Sequence, residues 1–203
     1  MRVDRSASGE ERDALASDWA ACMAGNLPET AWLPIPNLGA ETSRFLLQWG
    51  VDAILLSGGN DVGSCPVRDE TERAVCEFSL RYRLPVLGVC RVLHFLLSFH
   101  GGRLKTLPKA HAESRSHPVQ ARHPRAASLL GSPSVWVNSF HRMGVSIEDL
   151  VVFFEPWMVS PDGVVEAMVH KRDRHMAVQW HPERPLPDPE LARRLFRFFQ
   201  NEL

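Results

Sequence analysis

The chain has 203 residues, 44% hydrophobic and 23% charged, with 13 Gly and 15 Pro, a composition that excludes disordered, collagenous and fibrous classes. Lys and Arg total 23 against 24 Asp and Glu, a net charge of -1, so a surface built throughout for nucleic acid is excluded and any anion site must be local. The apolar runs at 95–99 and 151–154 fall far short of the roughly 20 residues that cross a bilayer, and Met1-Arg2-Val3-Asp4-Arg5-Ser6 carries no apolar signal core. One cytoplasmic domain over residues 1–203 is expected, with no membrane or nucleic-acid partner. Cys22, Cys65, Cys76 and Cys90 form no CxxC pair and read as reduced thiols.

In chain order, Leu15, Trp19, Cys22 and Met23 recur at i, i+4, i+7 and i+8 and predict an amphipathic helix over 9–25. A short strand is expected at 31–36, a helix at 42–49, and a buried strand at 53–56 running into Ser57-Gly58-Gly59-Asn60. Asp69 with Glu72 reads as a capping-box-like start of a helix to about Tyr82, followed by a strand at 85–89. A helix at 91–100 is entered directly from that strand and stopped by Gly101-Gly102. Residues 103–133 read as a loop-rich stretch, with strand character returning at 135–138. Strands at 151–159 and 164–170 flank the turn Ser160-Pro161-Asp162-Gly163, a third follows at 176–180, and Asp188-Pro189 opens a last helix with Leu191, Leu195, Phe198 and Phe199 on one side. The alternation predicts a three-layer α/β sandwich with a mostly parallel central sheet and one hairpin insertion.

Gly88-Val89-Cys90-Arg91 puts a cysteine at a strand–helix corner, where a sharp turn exposes the sulfur and the helix N-terminus favours the thiolate. A buried cysteine acting only as a small hydrophobe is the alternative. Gln179-Trp180-His181-Pro182-Glu183 supplies a histidine with a carboxylate two residues on, the base and orienting partner that a thiol attacking an amide carbonyl requires. Gly58 and Gly59 let a backbone N–H point into a site, and the N–H of Arg91 offers a second oxyanion donor.

The order GGND, GVCR, NSFH and WHPE resembles the class I glutamine amidotransferase-like superfamily (flavodoxin-like fold), and within it the γ-glutamyl hydrolases of the peptidase C26 type. The resemblance implies Cys90 as nucleophile, His181 as general base and acid, Glu183 as its orienter, and Gly59 with Arg91 as oxyanion donors. It further implies that Gly58, Asn60, Arg68, His94, Asn138, Ser139 and His141 contact a small-molecule γ-glutamyl substrate, with no cofactor. Residues 9–15 with Trp19, Gly58-Gly59-Asn60-Asp61 and Arg68-Asp69-Glu70-Thr71-Glu72 look like the γ-glutamyl-CDP-amidate hydrolases of bacterial capsule phosphoramidate synthesis. The γ-glutamyl-γ-aminobutyrate hydrolases share the RDxxE and NSxH features.

Arg103, Lys105, Lys109, Arg115, Arg122 and Arg125 face one acid, Glu113, within 103–125, a local positive field suited to phosphate unless it is merely solvated surface. His111, His117 and His123 lie there at six-residue spacing, which is no recognised ligand pattern, so no metal site is predicted. Two positions depart from the superfamily: Val92 stands where Gly is usual and is expected to disturb the elbow, and His94 replaces Gln and is expected to alter a substrate contact. Only Met1-Arg2-Val3 is available for a first central strand, which therefore reads as truncated, with lower stability to follow. Two rivals stand beside a free-standing hydrolase: a glutaminase subunit feeding ammonia to a synthetase, and a catalytically weakened binding or regulatory homologue.

Overall fold

A computed structural model of the chain describes residues 1–107, 111 and 116–203; Lys109, Glu113 and Arg115 of the basic segment lie outside the described residues. Seven strands form one sheet in the order β3 (Ile54–Leu56), β4 (Val86–Val89), β11 (His175–Val178), β10 (Val165–His170), β9 (Phe154–Val159), β6 (His117–Ala121) and β7 (Ser134–Val137). Side chains alternate across it as a strand period of two requires. In β4, Leu87 and Val89 enter one core, while Val86 enters the other. Helices α1 (Asp18–Asn26), α5 (Pro124–Leu130) and α6 (Glu190–Asn201) cover the first face. The opposite face carries α2 (Thr42–Trp49), α3 (Pro66–Tyr82) and α4 (Arg91–Phe99). This is the expected three-layer α/β architecture. Its parallel part is narrower than the alternation suggests: β3, β4 and β11 run parallel, and the other four pairings are antiparallel.

The helix expected over 9–25 begins only at Asp18. Before it lies a hairpin of β1 (Arg2–Arg5) and β2 (Glu11–Ala14), because the charged run Glu10-Glu11-Arg12-Asp13 offers no apolar stripe and Gly9, at φ 85°, turns the chain. The hairpin stays outside the main sheet, so β3 is an edge strand beside a cleft of about 770 Å³ lined in part by Leu15, Trp19, Ile35 and Leu55. Residues 31–36 form no strand, Pro34 and Pro36 having no N–H to donate. Asp69 does not cap α3: Cys65 stands at the N-cap with Pro66 in the first turn. The stretch read as loop contains β5 (Lys105–Thr106), which pairs antiparallel with β8 (Met143–Gly144), together with β6 and α5, whose His117-Pro118 and Pro124 hide their regularity. The hairpin across 160–163 is as expected, β9 and β10 pairing antiparallel. In α6 the four predicted apolar residues are buried, but Arg194 is not simply solvated, since its Nε donates to the Leu129 carbonyl at 3.0 Å.

Candidate active site

The carboxyl ends of the three parallel strands converge at one place, the usual position for a site in an α/β sheet. Cys90 follows β4 and precedes α4 with φ 52° and ψ -102°, a backbone conformation costly for a residue with a side chain. Its N–H is fixed to the Val178 carbonyl at 2.7 Å. Val92 does not disturb this elbow. It packs directly over Gly88, where an added Cβ would lie 2.5 Å from Val92 Cγ1, so glycine two residues before the cysteine makes the room that glycine two residues after it usually provides. The N-terminus of α4 does not lower the thiol as expected. Burial pushes Cys90 up to about 12, overriding the opposing hydrogen bond from the Arg91 N–H, and the Glu183 charge adds to the rise. The thiol therefore needs a base to remove its proton.

That base is close. His181 Nδ1 and Glu183 Oε1 are 2.7 Å apart, with both side chains buried. A Cβ on Gly58 would lie 2.9 Å from His181 Cε1 and 3.4 Å from Cys90 Cβ, so glycine at 58 is what allows imidazole and cysteine to line the same space. Asn138 holds the histidine from behind: its Oδ1 accepts from the His181 N–H at 2.9 Å, and its Nδ2 donates to the carbonyls of His181 at 2.9 Å and Pro185 at 3.1 Å.

Several residues expected on substrate are placed elsewhere. Arg68 is buried, and its Nη2 donates to the carbonyls of Ser57 at 2.6 Å and Gly58 at 3.0 Å while Nε meets Glu72 Oε1 at 3.0 Å. Glu72 and Asp69 both receive Arg91, closing a buried ion network behind the glycine loop. Because a trans peptide sets N–H opposite C=O, carbonyls held by Arg68 turn the N–H groups of Gly58 and Gly59 the other way. Asn60 brackets Val3, accepting its N–H at 2.8 Å and donating to its carbonyl at 2.9 Å, so it fastens the N-terminal hairpin. Asn138, as described, clamps main chain. Ser139 is fully buried and donates to the His111 carbonyl at 2.7 Å, and His141 is buried with Nδ1 3.1 Å from the Met143 carbonyl. Each was expected on substrate because polar residues beside a catalytic strand carry the same signature whether they face in or out.

His94 also acts at one remove. Its Nε2 lies 3.1 Å from Gln179 Oε1, an atom that only accepts, so the proton is on Nε2. Burial drops its pKa to about 4, keeping the ring neutral. Gln179 Nε2 in turn donates to Cys90 Sγ at 3.8 Å. Sequence reading missed Gln179, although its position two residues before His181 puts both on one side of the extended chain. It also missed Phe140, whose ring stands edge-on to His181 at 5.4 Å, and Arg184, whose guanidinium lies 4.3 Å from the Phe140 centroid with its side chain 36% exposed.

The arrangement sets a thiol at a strand–helix corner with the Arg91 N–H on its sulfur and an imidazole held in one tautomer lining the same space, groups of the kind that acyl transfer from an amide demands. Solved structures share the fold: the glutaminase domain of Trypanosoma brucei CTPS with bound acivicin is 18% identical with a TM-score of 0.67, covering 89% of this chain and 84% of that one. A glutamine amido transferase of Methylobacillus flagellatus, also 18% identical, has a TM-score of 0.59 over 92% and 71%. Among proteins similar in sequence, the γ-glutamyl-γ-aminobutyrate hydrolase of Escherichia coli is 31% identical, with 89% of this chain and 82% of its own covered. The γ-glutamyl-CDP-amidate hydrolase of Campylobacter jejuni is 26% identical over 86% and 82%. The family model for peptidase C26 matches residues 10–183, and the chain belongs to that family, hydrolases of carbon–nitrogen amide bonds.

Proposed function

We propose that the chain hydrolyses a γ-glutamyl amide through a thioester. His181 takes the Cys90 proton, the sulfur attacks the amide carbon, and the oxyanion is met by the N–H groups of Gly59 and Arg91. His181 then returns the proton to the departing nitrogen, leaving a γ-glutamyl thioester. Water attacks in turn, its proton passes to His181, and the sulfur leaves and is reprotonated as glutamate is released. The observation that carries this reading is the 2.7 Å His181–Glu183 contact beside a glycine at which any side chain would meet both His181 and Cys90. Arg184 supports an anionic substrate, being a partly exposed cation next in sequence to Glu183 that no short ion pair neutralises among the described residues, its Glu183 contact measuring 3.9 Å.

For the leaving group, our first reading is a nucleotide-linked conjugate of the γ-glutamyl-CDP-amidate class in bacterial capsule synthesis, acted on in the cytoplasm; it rests on the RDxxE likeness and the C. jejuni relative. One observation favours the aminobutyrate class instead: Lys105 is paired with Asp149 at 2.5 Å and Arg125 with Glu202 Oε2 at 3.6 Å, which offsets two cations of the supposed phosphate field. Glutamate release from γ-glutamyl-CDP-amidate, γ-glutamyl-γ-aminobutyrate and glutamine, offered side by side with a Cys90→Ser control, separates them. Rapid Cys90-dependent release from one conjugate identifies the leaving group. Release only with a synthetase partner supports a glutaminase subunit, and ligand binding with no turnover supports a weakened homologue; either result overturns the proposal.

A further inference from the structure

Away from Cys90, four side chains meet around a buried carboxylate. Glu166, in β10, is completely buried, and neither of its oxygens has a hydrogen-bond partner among the described residues. An ionised carboxylate in that condition is expensive unless a cation neutralises it. Around Oε1 stand His141 Nε2 at 3.5 Å, His117 Nε2 at 3.6 Å and His111 Nδ1 at 3.7 Å, too long for hydrogen bonds. One ligand atom from each of the four lies within 4.8 Å of all the others. Separations of 3.5–3.7 Å approach the roughly 3.4 Å edge of a tetrahedron with metal–ligand bonds of about 2.1 Å.

The outer nitrogens make the same point independently. His111 Nε2 is 2.8 Å from Asp162 Oδ2, His141 Nδ1 is 3.1 Å from the Met143 carbonyl, and His117 Nδ1 is 3.2 Å from the Pro118 carbonyl. Each of these oxygens accepts, so each outer nitrogen is the protonated one, and the inner nitrogens, all without hydrogen-bond partners among the described residues, turn lone pairs toward Glu166. A carboxylate or carbonyl fixing the far nitrogen of an imidazole is the usual second layer of a metal site. A small cleft lined by His111, His117, Pro118, Ser160, Pro161 and Asp162 gives an entry path. His123, grouped with these histidines in the sequence, is not part of the cluster; its ring stacks on Trp157 at 5.0 Å.

We propose that His111, His117, His141 and Glu166 bind one divalent transition-metal ion, zinc by the character of its donors, in a closed four-ligand structural site. Three imidazoles and one carboxylate suit zinc, and four protein ligands leave no position for substrate. The ion ties the chain at 111 and the loop carrying Asn138 and His141 to β10. That loop is already joined to the same point by the Ser139 hydroxyl and by the His141 N–H, which donates to the His111 carbonyl at 3.2 Å. On the other side, the Gln179 N–H donates to the Glu166 carbonyl at 2.7 Å, so the site lies directly behind the catalytic strand end.

The test is metal analysis of the full chain purified from zinc-supplemented medium, then cobalt titration of chelator-treated protein followed by visible absorption. Expected are about one zinc per chain and intense ligand-field bands of tetrahedral cobalt, both retained in Cys90→Ser. His117→Asn, at the least buried ligand, and Glu166→Gln should abolish stoichiometric binding. Should Glu166→Gln fail to fold, Asp162→Asn, which touches no metal, should weaken affinity about 10- to 100-fold while leaving the fold intact. Absence of bound zinc together with absence of a cobalt spectrum, or binding unchanged in His117→Asn and Asp162→Asn, overturns the proposal. None of these readouts depends on turnover, so a failed substrate assignment does not affect them.

Discussion

Gly88 and Val92 should behave as one unit. In Gly88→Ala the new methyl would sit 2.5 Å from Val92 Cγ1 and 2.8 Å from its Cβ, with Ala177 Cβ at 3.4 Å, whereas carbon atoms pack best near 3.5–4.0 Å. Val92 cannot swing away, because a β-branched side chain in a helix has essentially one rotamer and this one is fully buried. Overpacking of this kind costs about 1–3 kcal/mol, and two rigid elements in contact favour the upper end. Val92→Ala alone should cost about 1.5–2.5 kcal/mol, from two lost methyl groups and a small cavity. In the double variant the clash with Cγ1 is gone, while the Cβ that alanine keeps at 92 still lies 2.8 Å from the new methyl, so the strain is relieved in part. Its loss should fall about 1 kcal/mol short of the sum of the two single losses, a favourable coupling. Urea unfolding of the four proteins measures the cycle. A Gly88→Ala chain as stable as the parent, or strictly additive losses, would refute the account of how this elbow tolerates valine.

Gly58→Ala should fold but lose at least a hundredfold in kcat, since its Cβ would meet His181 Cε1 at 2.9 Å and the ring is pinned by Glu183; near-normal kcat with an intact fold would contradict this. Arg184→Ala should raise KM about tenfold with kcat and unfolding midpoint little changed, as expected of a partly exposed cation that binds substrate charge; an unchanged KM across the three candidate substrates speaks against the role. His175 is buried with Nε2 2.7 Å from the Ser79 hydroxyl, and burial lowers its pKa from the ordinary 6.5 to about 4. Between those values the unfolded chain binds more protons than the folded one, so stability is full above about pH 6.5 and is lost as pH falls toward 4. At pH 5 the loss from this histidine is about 2 kcal/mol, and stability measured against pH should flatten by that amount in His175→Gln if the fold survives; an unaltered slope rejects the assignment.

The elements that were legible carried their own punctuation. β4, the corner at Cys90 and α4 form an apolar run ended by two glycines, and α6 shows its buried stripe one turn after another. The N-terminal hairpin was not legible, because Leu15, Trp19, Cys22 and Met23 have helical spacing although Leu15 precedes the helix and only packs beside it. In the site, Cys90, Gly58, His181 and Glu183 stand out because their chemistry requires a corner, a missing side chain and a neighbouring carboxylate. The direction a polar side chain takes is decided by tertiary contact. Nothing local separates an Arg68 that reads substrate from one that holds two carbonyls, or a His141 facing glutamate from one facing Glu166. The histidine cluster was hidden for the same reason: its fourth and fifth participants, Glu166 and Asp162, come from a hairpin distant in sequence.

Asn138 grips His181 only through its peptide groups and leaves the imidazole out of the grip. The address of the base is therefore written in main chain, and the ring can be deleted without moving the walls around it. A His181→Ala chain would keep an imidazole-shaped vacancy between Gly58, Phe140 and Glu183, open to a free imidazole supplied from solution. Such a protein becomes an enzyme whose base is a reagent, to be added, withdrawn or exchanged for a ring of different basicity. With the reagent withheld, it would hold an uncleaved substrate long enough to be identified.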